Sequence, residues 1–225
     1  MIEAVVFDLD GVLVDTEPVW EEVRRAYVAE AGGAWQPDSQ RRLMGMSTSE
    51  WARYLSVDLG VGRTPEQVAD DVVRRMAARY RQALPLMPEA VDVVRRMRAR
   101  VPLAVASSSP RLLIEQVLDS AGLTGDFRVT LSTEEVAAGK PAPDVYLEAA
   151  RRLGVPAVRC AAVEDSANGL RSASAAGMAV VAVPHPVYPP PPDALALADV
   201  IIARLGELTP QTVEQLDTPT GTASG

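Results

Sequence analysis

The chain predicts an α/β fold, a doubly wound and mostly parallel sheet with a second, all-helical unit inserted near its start. Three observations predict it. A short apolar run, Val5-Val6-Phe7, ends in Asp8-Leu9-Asp10-Gly11, the pattern of a parallel strand buried on both faces that opens onto a ligand crevice. A strand-poor helical stretch then runs from Thr16 to about Leu84. Beyond it, helices and strands alternate to about residue 205, which implies right-handed crossovers with helices on both faces of one sheet.

The elements follow in order. Residues 17–31 carry helix-spaced apolars (Val19, Trp20, Val23, Ala26, Tyr27) and stop at Gly32-Gly33. Ser47 and Glu50 form the frame of a capping box that opens a helix through Trp51, Tyr54 and Leu55. Thr64-Pro65-Glu66-Gln67 is a second start, with proline at the first helical position, leading to about Gln82. Pro85 and Pro88 then punctuate the chain. Helices are expected at 89–98, 110–120, 144–153 and 168–176, and strands at 103–106, 128–131, 160–163, 178–183 and 200–202. The domain expectation is a core of residues 1–15 and 85–215, a helical cap of 16–84, hinges near Val14-Asp15 and Leu84-Pro85, and a disordered tail at 217–225, where the text is small, polar and Gly/Pro-containing.

Composition bounds the function. At 225 residues the chain has ample length for a sizeable core. A net charge of −8 speaks against a nucleic-acid or acidic-membrane partner. No apolar run approaches the ~18 residues of a membrane span. The first expected strand begins almost at Met1, which leaves no room for a signal peptide. A lone cysteine, Cys160, lies in an apolar run and reads as inert core in a reducing, cytoplasmic setting. The single histidine, His185, sits among prolines in what reads as a linker or surface loop, so a histidine-based nucleophilic mechanism is not expected. Of the 22 basic residues only Lys140 is a lysine, a compact ammonium where the chain otherwise uses guanidinium.

The expected strand ends carry chemistry. Asp8 and Asp10 share a side of the first strand by alternation, so both can address one ligand. The second strand runs into Ser107-Ser108-Ser109-Pro110, hydroxyls and amides at a helix start that suit an anion. Lys140 lies in Gly139-Lys140-Pro141-Ala142-Pro143-Asp144, a turn fixed by two prolines. The fourth strand ends in Glu164-Asp165-Ser166. Each acid or serine could be a simple helix cap. Together, four carboxylates, hydroxyl and amide donors and one lysine suit a hard divalent cation and phosphoryl transfer to an acidic nucleophile.

In combination, Asp8-Leu9-Asp10-Gly11-Val12, the serine turn, Gly139-Lys140-Pro141 with Pro143-Asp144 and Tyr146, and Glu164-Asp165-Ser166 with Gly169 resemble the haloacid dehalogenase superfamily, in its branch of sugar-phosphate phosphatases and β-phosphoglucomutases. The likeness covers residues 1 to about 205. It implies a Mg²⁺-dependent phosphatase acting on a small phosphorylated metabolite. Asp8 would be the nucleophile. Asp10 would be the general acid and base, and its backbone carbonyl would bind metal. Ser107 and the Ser108 amide would hold phosphate, and Lys140 would balance charge. Asp165 would ligate Mg²⁺ and Glu164 would support the metal shell. The family's helical cap is inserted where the helical stretch lies.

Two departures bear on which branch. The mutases carry a His and an Arg in the cap, at positions that here hold Trp20 and Thr48, which favours hydrolysis. The segment Asp15-Thr16-Glu17-Pro18-Val19-Trp20 resembles hexitol and 2-deoxyglucose-6-phosphate phosphatases instead. Trp20, Met44, Met46, Thr48 and Trp51 either line the substrate side of the cap or pack its core, while Arg41 and Arg42 read as solvent-facing. A signalling receiver module shares the phosphorylated Asp, the hydroxyl and the lysine, but it is about half this length, lacks the second acid and has no helical insert.

Overall fold

A computed structural model describes residues 1–44 and 46–216; the tail expectation at 217–225 lies outside the described residues. Six strands form one sheet: β1 (Ala4–Phe7), β2 (Leu103–Ser107), β3 (Val129–Ser132), β4 (Cys160–Glu164), β5 (Ala179–Ala182) and β6 (Val200–Ile201). Their order is β3-β2-β1-β4-β5-β6 and every pairing is parallel. The order reverses between β1 and β4, which leaves a crevice beyond the carboxyl ends of these two strands.

The helices are α1 (Glu17–Glu30), α2 (Ser39–Leu43), α3 (Thr48–Arg53), α4 (Pro65–Gln82), α5 (Ala90–Arg98), α6 (Arg111–Ser120), α7 (Asp144–Leu153), α8 (Ala167–Ala175), α9 (Pro192–Leu195) and α10 (Pro210–Gln215). Both expected capping motifs form: Ser47 with Glu50 at α3 and Thr64 with Gln67 at α4. Alternation along the strands divides the core. Val5, Phe7, Leu103, Val105 and Val163 face the layer of α5 and α6. Ala4, Val6, Ala104, Ala106 and Ala162 face α7 and α8, where the many alanines let the helices sit close.

The segments entering and leaving the helical insert run side by side. Asp15 donates its amide to the Pro85 carbonyl (2.8 Å) and Met87 to that of Leu13 (2.9 Å), so the two expected hinges form one paired ribbon. The insert has its own apolar interior, with Tyr27, Leu55, Val68, Val72, Met76 and Tyr80 buried between α1, α3 and α4. Among the described residues, no helix is long and apolar enough to cross a membrane. Cys160 is buried as expected, and burial raises its thiol to about 11.

The structure adds elements that periodicity does not reveal. Helices α2, α9 and α10 each span six residues or fewer, too short for an apolar stripe to repeat. After α3 the chain widens into a π-helical turn, Tyr54–Asp58.

Candidate active site

Asp8 follows β1 and is fixed by its amide, which donates to the Val163 carbonyl of β4 (2.9 Å). Gly11 then turns the chain at φ +80°, and a Cβ there would overlap the Asp165 carboxylate. The loop after β1 can therefore approach the end of β4 only with glycine at this position.

Lys140 reaches the same point from the turn before α7, and its side chain is 4% exposed. Its ammonium donates to Asp8 Oδ1 (2.6 Å), Glu164 Oε1 (2.5 Å) and the Ala106 carbonyl (3.0 Å), with the Tyr146 hydroxyl at 3.3 Å. Tyr146 donates to the same Glu164 oxygen (2.7 Å). Glu164 Oε2 accepts from the Asp165 and Ser166 amides and from Ser166 Oγ. Glu164 thus has both oxygens occupied, and it fits because Gly169 faces it, where any Cβ would overlap the carboxylate. Tyr146 was quoted in the motif without a role; its place one turn into α7 below Lys140 supplies one.

Asp8, Glu164 and Asp165 offer carboxylate oxygens within 4.8 Å of one another. Burial raises Asp8 to about 8, with the neighbouring Glu164 and Asp10 adding to the rise and Lys140 opposing it. Burial, then Glu164 and Asp8, likewise push Asp165 well up. Burial alone would lower Lys140, but Asp8 and Glu164 hold it above its usual range. One ammonium thus serves three clustered carboxylates, an excess of buried negative charge that fits a hard divalent cation.

Asp10 neighbours that cluster but has a hydrogen-bond set of its own. Its Oδ1 accepts from Thr16 Oγ1 (2.7 Å), and its Oδ2 from Ser109 Oγ (2.8 Å) and Ser107 Oγ (3.3 Å). Ser107, expected to hold phosphate, is fully buried, turned to Asp10 and capped by the Ser109 amide (2.9 Å). Ser108 and Ser109 line the open cavity instead. Thr16 stands just before α1 and Ser109 just past β2 in the serine turn; neither was expected to bond Asp10.

The cavity measures about 360 Å³. Asp8, Asp10, Lys140 and Asp165 form its floor, and Trp20, Thr48 and Trp51 belong to its roof. Trp20 and Trp51 are 6% and 2% exposed, pack at 5.8 Å between ring centroids, and border the cavity. Arg41 and Arg42 are exposed, as expected. The proline-rich segment around His185 is a surface loop, as expected, and it also borders the cavity. His185 and Tyr188 stack at 5.5 Å and line the cavity, and His185 Nε2 lies 3.5 Å from Asp15 Oδ1 beside the paired ribbon. Its Nδ1 accepts the Val187 and Tyr188 amides (3.2 and 3.3 Å), which folds the loop back over the site.

Comparison with known proteins gives the chain its relatives. The chain is 35% identical over 217 residues to hexitol phosphatase B of Escherichia coli K12, covering 92% of this chain and 95% of that protein. The solved structure of CbbY from Rhodobacter sphaeroides in complex with phosphate superposes with a TM-score of 0.82 at 30% identity, covering 92% and 96% of the two chains. A β-phosphoglucomutase from Clostridium difficile shares the fold at 20% identity, with a TM-score of 0.81 over 96% and 97% of the chains. A family model for haloacid dehalogenase-like hydrolases matches residues 2–177, and the chain belongs to that family.

Proposed function

We propose that this hydrolase removes phosphate from a small sugar or polyol phosphate through an aspartyl-phosphate on Asp8, with Mg²⁺ as cofactor. That it is a phosphoric monoester hydrolase follows from its family and its phosphatase relatives. The observation that carries the finer reading is the split environment of the two acids at the end of β1. Asp8 is bonded to Lys140 beside two further carboxylates, whereas the Asp10 carboxylate takes its hydrogen bonds from three hydroxyls.

In this reading Lys140 grips Asp8 Oδ1 and aims the carboxylate at phosphorus. Asp8 attacks, the bond from phosphorus to the ester oxygen breaks, and Asp10 gives its proton to the departing alkoxide. Asp10 then takes a proton from the attacking water. The bond between phosphorus and Asp8 breaks, and inorganic phosphate leaves. Lys140 and the amides around Ser108 and Ser109 receive the charge on the phosphoryl oxygens. Asp8, Asp165 and the Asp10 carbonyl would hold the metal, with Glu164 supporting from outside. When bound, Mg²⁺ keeps Asp8 ionised and neutralises phosphate charge. Movement of the cap on its paired ribbon would admit substrate and then exclude water.

The test is phosphate release from a panel of sugar and polyol monophosphates, with Mg²⁺ or with chelator, for the wild type and Asp8→Asn. Release that needs Mg²⁺ and falls by ~10⁴-fold or more in the variant is expected. Near-native turnover by the variant would refute the assignment. A labelled bisphosphate isomerised without net phosphate release would make the enzyme a phosphomutase instead.

A further inference from the structure

One charged group in the cavity has no part in the chemistry above. Arg24, on α1, is 5% exposed and lines the cavity from the cap side. Its guanidinium lies 4.3 Å from the centre of the Trp20 ring and 5.1 Å from that of Trp51. Among the described residues it makes no hydrogen bond or ion pair, and its buried Nε has no partner. Glu17, whose charge acts most strongly on it, spends its Oε2 on the Gln40 amide (2.8 Å).

A buried guanidinium whose donors are all unspent is costly and needs a reason. Stacking on two indoles holds its plane and leaves the N–H edge as the part able to meet something in the cavity. Burial lowers Arg24 to about 10, so it still carries its charge at neutral pH. The phosphoryl site at the floor is built separately, from Lys140 and the serine turn, so the cavity carries a second cation on its cap side. A planar fork of donors matches an oxyanion better than it matches a lone hydroxyl.

We propose that Arg24 is a specificity-determining residue that receives a second oxyanion, a carboxylate or a phosphate, at the far end of a phosphate monoester whose first phosphate lies against Asp8. The inference rests on the phosphatase reading of the same site and narrows its substrate class.

Three substrates sharing one six-carbon skeleton test it: a hexitol 6-phosphate, the matching aldonic acid 6-phosphate and the hexitol 1,6-bisphosphate. They differ only in whether the far end is an alcohol, a carboxylate or a phosphate. In the wild type, kcat/KM for one of the two anionic-ended esters is expected to exceed that of the alcohol-ended one by about tenfold or more. Arg24→Met should collapse that ratio to near one, and Arg24→Lys should keep part of it. Reading the ratio cancels any general loss of active protein. Which anionic ester wins separates carboxylate from phosphate. The same ratio read as Kd in the Mg²⁺-loaded Asp8→Asn protein, with and without Arg24→Met, does not depend on turnover. Failure of the phosphatase reading would remove turnover but leave that binding ratio. A wild-type preference for the alcohol-ended ester, or a ratio that Arg24→Met does not change, would overturn the proposal and leave Arg24 a packing residue.

Discussion

The floor and the roof of the cavity treat buried charge in opposite ways. At the floor, on the strand ends, every oxygen of Glu164 and Asp10 has a partner, and Lys140 is bonded on all sides. At the roof, Arg24 rests on indoles with its buried Nε unpaired. A satisfied network rigidifies and fixes one geometry. An unsatisfied group is held ready for something that arrives later. The floor therefore carries chemistry that must not vary, and the roof carries whatever distinguishes one substrate from another.

The largest way to break this contrast is at the floor. Lys140→Met leaves Asp8 and Glu164 buried beside each other without their shared cation. Removing one partner of such a group costs about 3–5 kcal/mol, and melting should fall by roughly 10 °C in a protein of this size. Turnover should be lost with it. Because the orphaned carboxylates can be relieved by protonation, the deficit should shrink as the pH is lowered. A deficit independent of pH would mean that Lys140 acts by packing its chain rather than by its charge.

A smaller effect sharpens the same point. In chelator, Asp8 is protonated in folded and unfolded chains alike below its ordinary value of 3.8. Above that the unfolded chain gives up its proton while the folded chain keeps it to about 8. The folded state then binds more protons, so stability falls as pH rises through that window and is level beyond it. Asp165, raised by the same burial, adds to the slope. Saturating Mg²⁺ should flatten this dependence and raise melting most at the alkaline end, by mass action on the folded state. Melting curves across pH with and without Mg²⁺ check it. A chelated protein that gains stability from acid to neutral pH would show that the cluster is not short of positive charge.

The same contrast explains what the sequence disclosed. Asp8, Asp10, Lys140, Glu164 and Asp165 were legible because each follows a buried strand or sits in a proline-fixed turn, so local pattern and global place coincide. The parallel sheet and both capping boxes were legible for the same reason. Arg24 was not. It stands beside Arg25 in a basic pair, and neighbours on a helix differ by 100° in direction, so only packing decides which one turns inward. The available signal was its spacing of four from Trp20, which puts both on one face. The loop around His185 was legible as a loop, but its place beside the cavity was not, because prolines mark a loop without saying what the loop covers. Its folding back depends on two amides finding Nδ1, which no periodicity encodes. The hydroxyls of Thr16 and Ser109 likewise become partners of Asp10 only once three separate turns meet.

The smallest expected effect lies at the roof, and its sign is what matters. A group kept for packing stabilises the fold, whereas a group kept for a ligand is carried at a cost. Methionine approximates the volume of the arginine stem and can lie against Trp20 and Trp51 without a charge. Replacing a buried, unpaired ion by an apolar side chain is commonly neutral or stabilising, by about 1–4 kcal/mol. Two losses temper the gain here: the cation–π contacts with both indoles and the favourable field of Arg24 on the buried carboxyl of Glu17. The ligand-free Arg24→Met protein should accordingly melt about 2–4 °C above the wild type, the equivalent of roughly 1 kcal/mol. Lys140→Met, a change of the same kind at the floor, should move melting the other way. If both variants melt lower by similar amounts, floor and roof are alike in needing their cations for the fold, and the division between invariant chemistry and selectable recognition fails at Arg24.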